Sequence, residues 1–140
     1  MAVASHLVDT SALARLRHPS VAHVLLPLGE RGLLATSAAV ETERLWSAAS
    51  STAFDEELTS WPDRFEQVRT DDEDWRRAMV VQGELWRRGQ QRAVGWPDLL
   101  VAAVAERERI TLLHYDADFD LVAAVTGQQT AWVVPRGSVP

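Results

Sequence analysis

Four carboxylates stand where an α/β chain could bring them together: Asp9, Glu43, Asp98 and Asp116, with Asp118 a close fifth. Hard cations such as magnesium bind carboxylate oxygens and keep several waters. Acids gathered without a cation repel one another, so such a pocket needs either a metal or shifted protonation. A divalent ion held there can acidify water and screen the charge that develops on a phosphate. Count and placement therefore fit metal-dependent phosphodiester hydrolysis. They do not decide it alone, because the 140 residues hold twenty Asp and Glu and coincidences are expected. Asp98 serves equally well as a helix-start acid, and Asp118 and Asp120 could open the final helix in the same way. Asp9 resists that explanation. It ends an apolar strand, where a structural role needs a partner.

The elements that must position these acids alternate. Residues 3–8 (VASHLV) read as a first strand delivering Asp9, followed by a short helix from about Ser11 to His18, with Thr10 and Ser11 as capping types. Pro19 starts a helix to about Leu28, and Gly29 and Gly32 frame a turn into a strand at 33–36. Ser37 is placed to cap a helix from Ala38 to about Ser50, which carries Glu41 and Glu43; residues 50–52 read as loop, and a further helix runs from Phe54 to Trp61, closed by Pro62. Residues 65–68 read as a short edge strand or an extended connection. An acidic start at 71–74 opens a helix to Arg88, with Trp75, Ala78, Met79, Gln82, Leu85 and Trp86 near one stripe and Gly89 as its stop. Pro97 and Asp98 begin an apolar helix, Ile110–Leu113 (ITLL) forms a buried strand, a helix spans Phe119 to about Thr126, and Ala131–Val134 is the last strand. Strands alternating with helices predict a mostly parallel sheet with helices on both faces. In such sheets ligands sit beyond the carboxyl ends of the strands, where Asp9 and Asp116 fall.

Composition narrows the functional classes. The length fits one domain over residues 1–140, and 46% hydrophobic with 24% charged residues is ordinary for a soluble globular protein. No apolar run reaches the ~18–20 residues of a membrane helix, and the start lacks a signal-peptide pattern, so a cytoplasmic location is the default expectation. Without cysteine there is neither a disulfide framework nor a thiolate zinc site. A net charge of −6 argues against a general nucleic-acid-coating protein, but not against a nuclease whose acids hold cations. All fourteen basic residues are arginine, the better side chain for forked phosphate contacts.

Four motifs carry a resemblance: LVDTSAL (7–13), ETERLW (41–46), WPDLLVAAVA (96–105) and LLHYDADFD (112–120). In this order and spacing the chain resembles the PIN-domain ribonucleases, specifically the VapC toxins of type II toxin–antitoxin systems. The resemblance implies a three-layer α/β/α domain around a mostly parallel sheet. It implies that Asp9, Glu43, Asp98 and Asp116 form the acidic quartet, with Asp9, Asp98 and Asp116 as metal ligands and Asp118 accessory. Thr10 and Ser11 match the hydroxyl positions after the first Asp. Glu41 competes with Glu43, and Glu43 is preferred because E-x-L-W matches the family's run. The resemblance further implies magnesium or manganese as cofactor, an RNA substrate, a homodimer, and a cognate VapB antitoxin whose tail offers an arginine to the acids. Two departures stand out: Trp96 replaces a smaller aliphatic before Pro-Asp, and Tyr115 replaces a common histidine. Neither removes an acid.

Other residues are weighed more lightly. Arg15, Arg87, Arg88 and Arg92 are candidates for RNA phosphates, although Arg87, Arg88 and Arg92 also suit a solvated helix end. Trp46, Trp75 and Trp86 read as core or dimer contacts. Trp96 could stack a base, with packing as the plainer reading. His6, His18, His23 and His114 show no metal-ligand spacing, and His114 reads as strand-end packing. An aspartyl-phosphate phosphatase is a second reading of Asp9, but position 11 then lacks its usual second Asp. A non-catalytic PIN-like binding module is the third; a missing acid would favour it, and none is missing.

Overall fold

Short apolar runs make the middle of a five-stranded sheet: β1 (His6–Val8), β2 (Leu34–Thr36) and β4 (Thr111–His114). The computed structural model describes residues 2–140. Leu7, Val8, Ala35 and Leu112 are fully buried, as expected of strands covered on both faces. The edges are β3 (Glu66–Gln67) and β5 (Thr130–Trp132). All pairings are parallel, in the order β3-β2-β1-β4-β5. The order reverses between β1 and β4. That reversal is the topological switch point, where an open α/β sheet parts to leave a crevice beyond its carboxyl ends.

Seven helices complete the α/β/α layers: α1 (Thr10–Leu13), α2 (Pro19–Glu30), α3 (Ala38–Trp46), α4 (Ser51–Arg64), α5 (Asp72–Arg87), α6 (Trp96–Glu108) and α7 (Asp118–Thr126). α6 is buried at every position from Leu99 to Ala105, so it is apolar all round. α5 lies along it, begun by a capping box in which Asp71 and Asp74 bond each other's backbone N–H. Among the described residues, no helix is long and apolar enough to cross a membrane.

Several boundaries differ from the sequence reading. α1 stops at Leu13, because the chain continues in tight turns and His18 is held extended before Pro19. Gly29 stays inside α2, and only Gly32, at φ +69, makes the turn. α3 ends at Trp46, and Ser37 gives it no side-chain cap. Residues 51–52 are helix rather than loop, since Ser50 accepts the Ala53 N–H at 3.1 Å and starts α4. That helix runs through Pro62 to Arg64 around the fully buried Trp61. The buried line of α5 is Asp74, Ala78, Val81 and Leu85, which leaves Trp75, Met79 and Trp86 exposed. Trp46 is 89% exposed, so the core reading of these three tryptophans is overturned. The apolar letters on α5 outnumber the places its contact with α6 can bury.

Candidate metal centre

Asp9 leaves β1 and caps α1 in the same step, which places its carboxylate at the switch point. It is 4% exposed, and its Oδ2 accepts both the Ser11 N–H at 2.9 Å and the Ser11 hydroxyl at 2.6 Å. The Ser11 hydroxyl in turn accepts the Tyr115 N–H at 2.9 Å, tying the end of β1 to the end of β4. The Asp9 N–H adds a bond to the Leu113 carbonyl at 2.9 Å. Burial raises the Asp9 pKa, the bonds from Ser11 oppose the rise, and the Glu43 charge adds to it.

Asp98 arrives from the first turn of α6, where Gly95 and Pro97 set the start. Its carboxyl is pushed up to about 7, first by burial and then by Asp9, Asp116, Glu43 and Asp118 in that order. All four of those neighbours are negative. Asp116 and Asp118 come from the β4–α7 connection, where the Asp118 N–H donates to Asp116 Oδ1 at 2.9 Å. Burial and the Asp116 charge raise Asp118 as well.

Carboxylate oxygens of Asp98, Asp116 and Asp118 all lie within 4.8 Å of one another. Of the expected ligands Asp9, Asp98 and Asp116, the last two fall in this group beside Asp118, and Asp9 is the acid that acts most strongly on Asp98. Asp9 has one oxygen held by Ser11. Glu43, exposed on α3, makes itself felt at Asp9 and Asp98, whereas Glu41 responds to burial and to Glu57, in the group where Glu57 pairs with Arg44 and Arg64. The two glutamates therefore face different neighbours. A donor set made only of carboxylate oxygens, with no cation among its strong electrostatic neighbours, fits magnesium or manganese.

The hydroxyls and arginines are less uniform. Thr10 Oγ1 is buried without a hydrogen-bond partner, while Ser11 is fully engaged. Arg15 lies over the Tyr115 ring at 4.4 Å and donates to the carbonyls of Ser11 and Pro140. These contacts hold it against Ser11 and Tyr115. Arg87 and Arg88 are drawn to Glu84, and Arg88 also donates to the Ala124 carbonyl at 3.4 Å. Arg92 is exposed at φ +64 in the turn before α6.

His114 is fully buried between Phe119 and Trp132, and its Nδ1 accepts the Asp116 N–H at 3.1 Å. Its packing role thus includes orienting the Asp116 backbone. Sequence reading missed the clasp in which the Tyr115 hydroxyl donates to the Val139 carbonyl and accepts the Val139 N–H. No spacing signal announces it. It also missed a groove of ≈ 500 Å³ beside the acids, edged by Glu43 and Pro97 and carrying Trp46, Trp75 and Trp96.

The PIN domain family model matches residues 6–125. Ribonuclease VapC21 of Mycobacterium tuberculosis is 43% identical over 133 residues, covering 95% of this chain and 96% of the relative. Ribonuclease VapC51 of the same organism is 39% identical over 134 residues, covering 96% of each. In fold, the chain is similar to a DNA-bound VapBC structure from Salmonella typhimurium, with TM-score 0.74 at 16% identity over 94% of this chain and all (100%) of the other. It is also similar to VapBC2 from Rickettsia felis bound to a promoter DNA fragment, with TM-score 0.72 at 18% identity over 90% and 96%.

Proposed function

We propose that this chain, which belongs to the PIN-domain family and within it to the VapC ribonucleases, is a divalent-metal-dependent endoribonuclease acting as the toxin of a type II toxin–antitoxin pair. The observation that carries the reading is the convergence of Asp98, Asp116 and Asp118 within 4.8 Å, where Asp98 is pushed up to about 7. Asp98, Asp116 and Asp118 would hold magnesium or manganese, with Asp9 and Glu43 adding their charge at Asp98. When bound, such an ion supplies charge for the phosphate oxygens and lowers the pKa of water. The chain's own work is orientation. Ser11 fixes the Asp9 carboxylate, the Asp118 N–H fixes the Asp116 carboxylate, and His114 Nδ1 holds the Asp116 N–H. The acids act as ligands and orienters, not as nucleophiles.

An acidic cleft on a chain of net charge −6 suits a basic partner segment. We assign that segment to a VapB-type antitoxin offering an arginine to the cluster, on a homodimeric toxin that meets its RNA in the cytoplasm. Purified protein with magnesium should cleave single-stranded RNA, and Asp98→Asn should abolish cleavage. Undiminished cleavage in the presence of a chelator would overturn the proposal.

A further inference from the structure

Past β5 the chain turns and is pinned back beside the metal centre. The Ser138 N–H donates to the Pro135 carbonyl at 3.0 Å, closing a tight turn in which Gly137 takes φ +80. The Tyr115 hydroxyl then donates to the Val139 carbonyl at 2.7 Å and accepts the Val139 N–H at 3.2 Å. Arg15 adds a bond to the Pro140 carbonyl at 3.0 Å. Ordering these residues costs conformational entropy. The acids do not need it, because Ser11, His114 and the Asp118 N–H already orient Asp9 and Asp116. What the pinned loop carries is Arg136. It is exposed, its Cζ lies over the Trp132 ring at 5.8 Å, and among the described residues it pairs with no carboxylate. Trp132 in turn donates from Nε1 to Asp120 at 3.2 Å and stands edge-on to the Tyr115 ring at 5.3 Å. One indole thus joins this guanidinium to the segment that bears Asp116 and Asp118.

We infer that Arg136 binds the RNA backbone, taking a phosphate that flanks the one positioned at the acids. The inference rests on the ribonuclease reading and extends it to a residue outside the acid cluster. A guanidinium over an aromatic face keeps its planar fork of N–H donors for phosphate oxygens. A strand crossing a cleft of acids, on a chain of net charge −6, gains from fixed cations beside the metal. Place singles Arg136 out. Arg31 and Arg109 are likewise without ion pairs among the described residues, but they precede β2 and β4, at the amino ends of the strands. Arg136 follows β5, which pairs with β4 in parallel, and so stands at the carboxyl end where the acids lie. Its sign selects the ligand. The basic segment assigned to the antitoxin is repelled by this cation, and an anionic strand is drawn to it.

The test reads binding apart from cleavage. In Asp98→Asn protein, a labelled single-stranded oligoribonucleotide is titrated by fluorescence anisotropy across a series of salt concentrations. Arg136→Ala should weaken binding roughly fivefold and make the plot of log Kd against log salt shallower by about 0.7, the share of one phosphate. With Asp98 intact, the same change should raise KM for RNA cleavage by a similar factor. Manganese affinity and melting temperature should stay at their wild-type values. Arg136→Lys keeps the charge and should restore the salt slope. Tyr115→Phe removes the clasp and should lose part of the affinity; added to Arg136→Ala, it should cost nothing more. Unchanged Kd, KM and salt slope in Arg136→Ala would overturn the inference, and so would a loss of affinity with the slope unmoved. A shift of oligomeric state in sedimentation, or lost antitoxin binding while RNA binding stands, would overturn it by assigning Arg136 to a protein contact. Wild type that binds the oligomer through Arg136 yet cleaves no RNA would defeat the ribonuclease reading alone, and wild type that binds none would defeat both.

Discussion

Ser11 and Tyr115, 104 residues apart in sequence, meet at the switch point: the Tyr115 N–H donates to the Ser11 hydroxyl at 2.9 Å while that hydroxyl donates to Asp9 at 2.6 Å. One hydroxyl thus joins the ends of β1 and β4 and fixes the carboxylate between them. Ser11→Ala removes both bonds and leaves a half-buried N–H without its partner, at a cost of about 1–2 kcal/mol in stability. Loss of an orienting contact to a metal-site acid also lowers metal affinity and cleavage, by roughly 10–100-fold. Ser11→Thr keeps the hydroxyl and should recover most of both. Denaturant titration and manganese binding check the pair; an alanine variant with wild-type metal affinity would refute the orienting role.

The raised acids make stability depend on pH in a definite direction. The Asp98 pKa rises to about 7 in the folded chain from an ordinary value of 3.8. The folded state therefore keeps a proton that the unfolded state releases. The resulting stabilisation is full below the unfolded value and is lost as pH climbs through the folded one. Asp9 and Asp118 shift in the same direction. Without metal, wild type should melt only slightly below Asp98→Asn at about pH 4 and furthest below it at about pH 8. Magnesium should lift wild type again and leave the variant unmoved. Melting curves that keep the same separation at both pH values would contradict this.

The fold was largely legible because its signals are local. HLV and ITLL are short apolar runs between turn residues, and they form two of the three central strands of an all-parallel sheet. Pro97 and Asp98 mark a helix start, and Gly89 and Gly127 stand at positive φ where helices stop. Legibility failed where one residue type serves two ends. Ser50 read as loop and is a helix cap, while Ser37 read as a cap and makes no cap bond. The acids could be listed from sequence, but their ranking could not. Asp98, Asp116 and Asp118 group within 4.8 Å while Asp9 is the strongest acid acting on Asp98, and neither relation is written in the spacing. The Tyr115–Val139 clasp and the tryptophan groove are long-range surface features with no periodic signature.

The tryptophans yield a sharp contrast in stability. Trp61 is fully buried, 4.7 Å from the Phe65 ring, and anchors α4 against the sheet edge. Trp61→Ala should cost about 3–5 kcal/mol. Trp46, 89% exposed, should cost less than about 0.5 kcal/mol when changed to alanine. Urea denaturation of both variants measures the difference. A large loss at Trp46 in dilute monomer would mean that its exposed face is packed in solution.

The far end of α6 carries an ion pair whose removal should unfold the chain without touching the chemistry. Arg107 grips buried Asp74 with two bonds, at 2.8 and 3.1 Å, and also donates to the Arg69 carbonyl and to Glu108. Asp74 is meanwhile part of the capping box that starts α5, so one carboxylate serves helix start and helix packing together. Asp74→Ala removes two of the bonds to the Arg107 guanidinium and opens the cap, for a loss of about 3 kcal/mol. Replacing Asp74 and Arg107 together by leucine and methionine should not recover the loss, because buried Glu108 then loses the guanidinium that Arg107 gives it. Asp98 lies nine residues back along α6, about 14 Å along its axis. Manganese affinity should therefore stay at the wild-type value in whichever variant remains folded, as titration calorimetry would show. If Asp74→Ala weakens metal binding as much as it weakens the fold, the two ends of α6 are coupled and the pair is not purely structural.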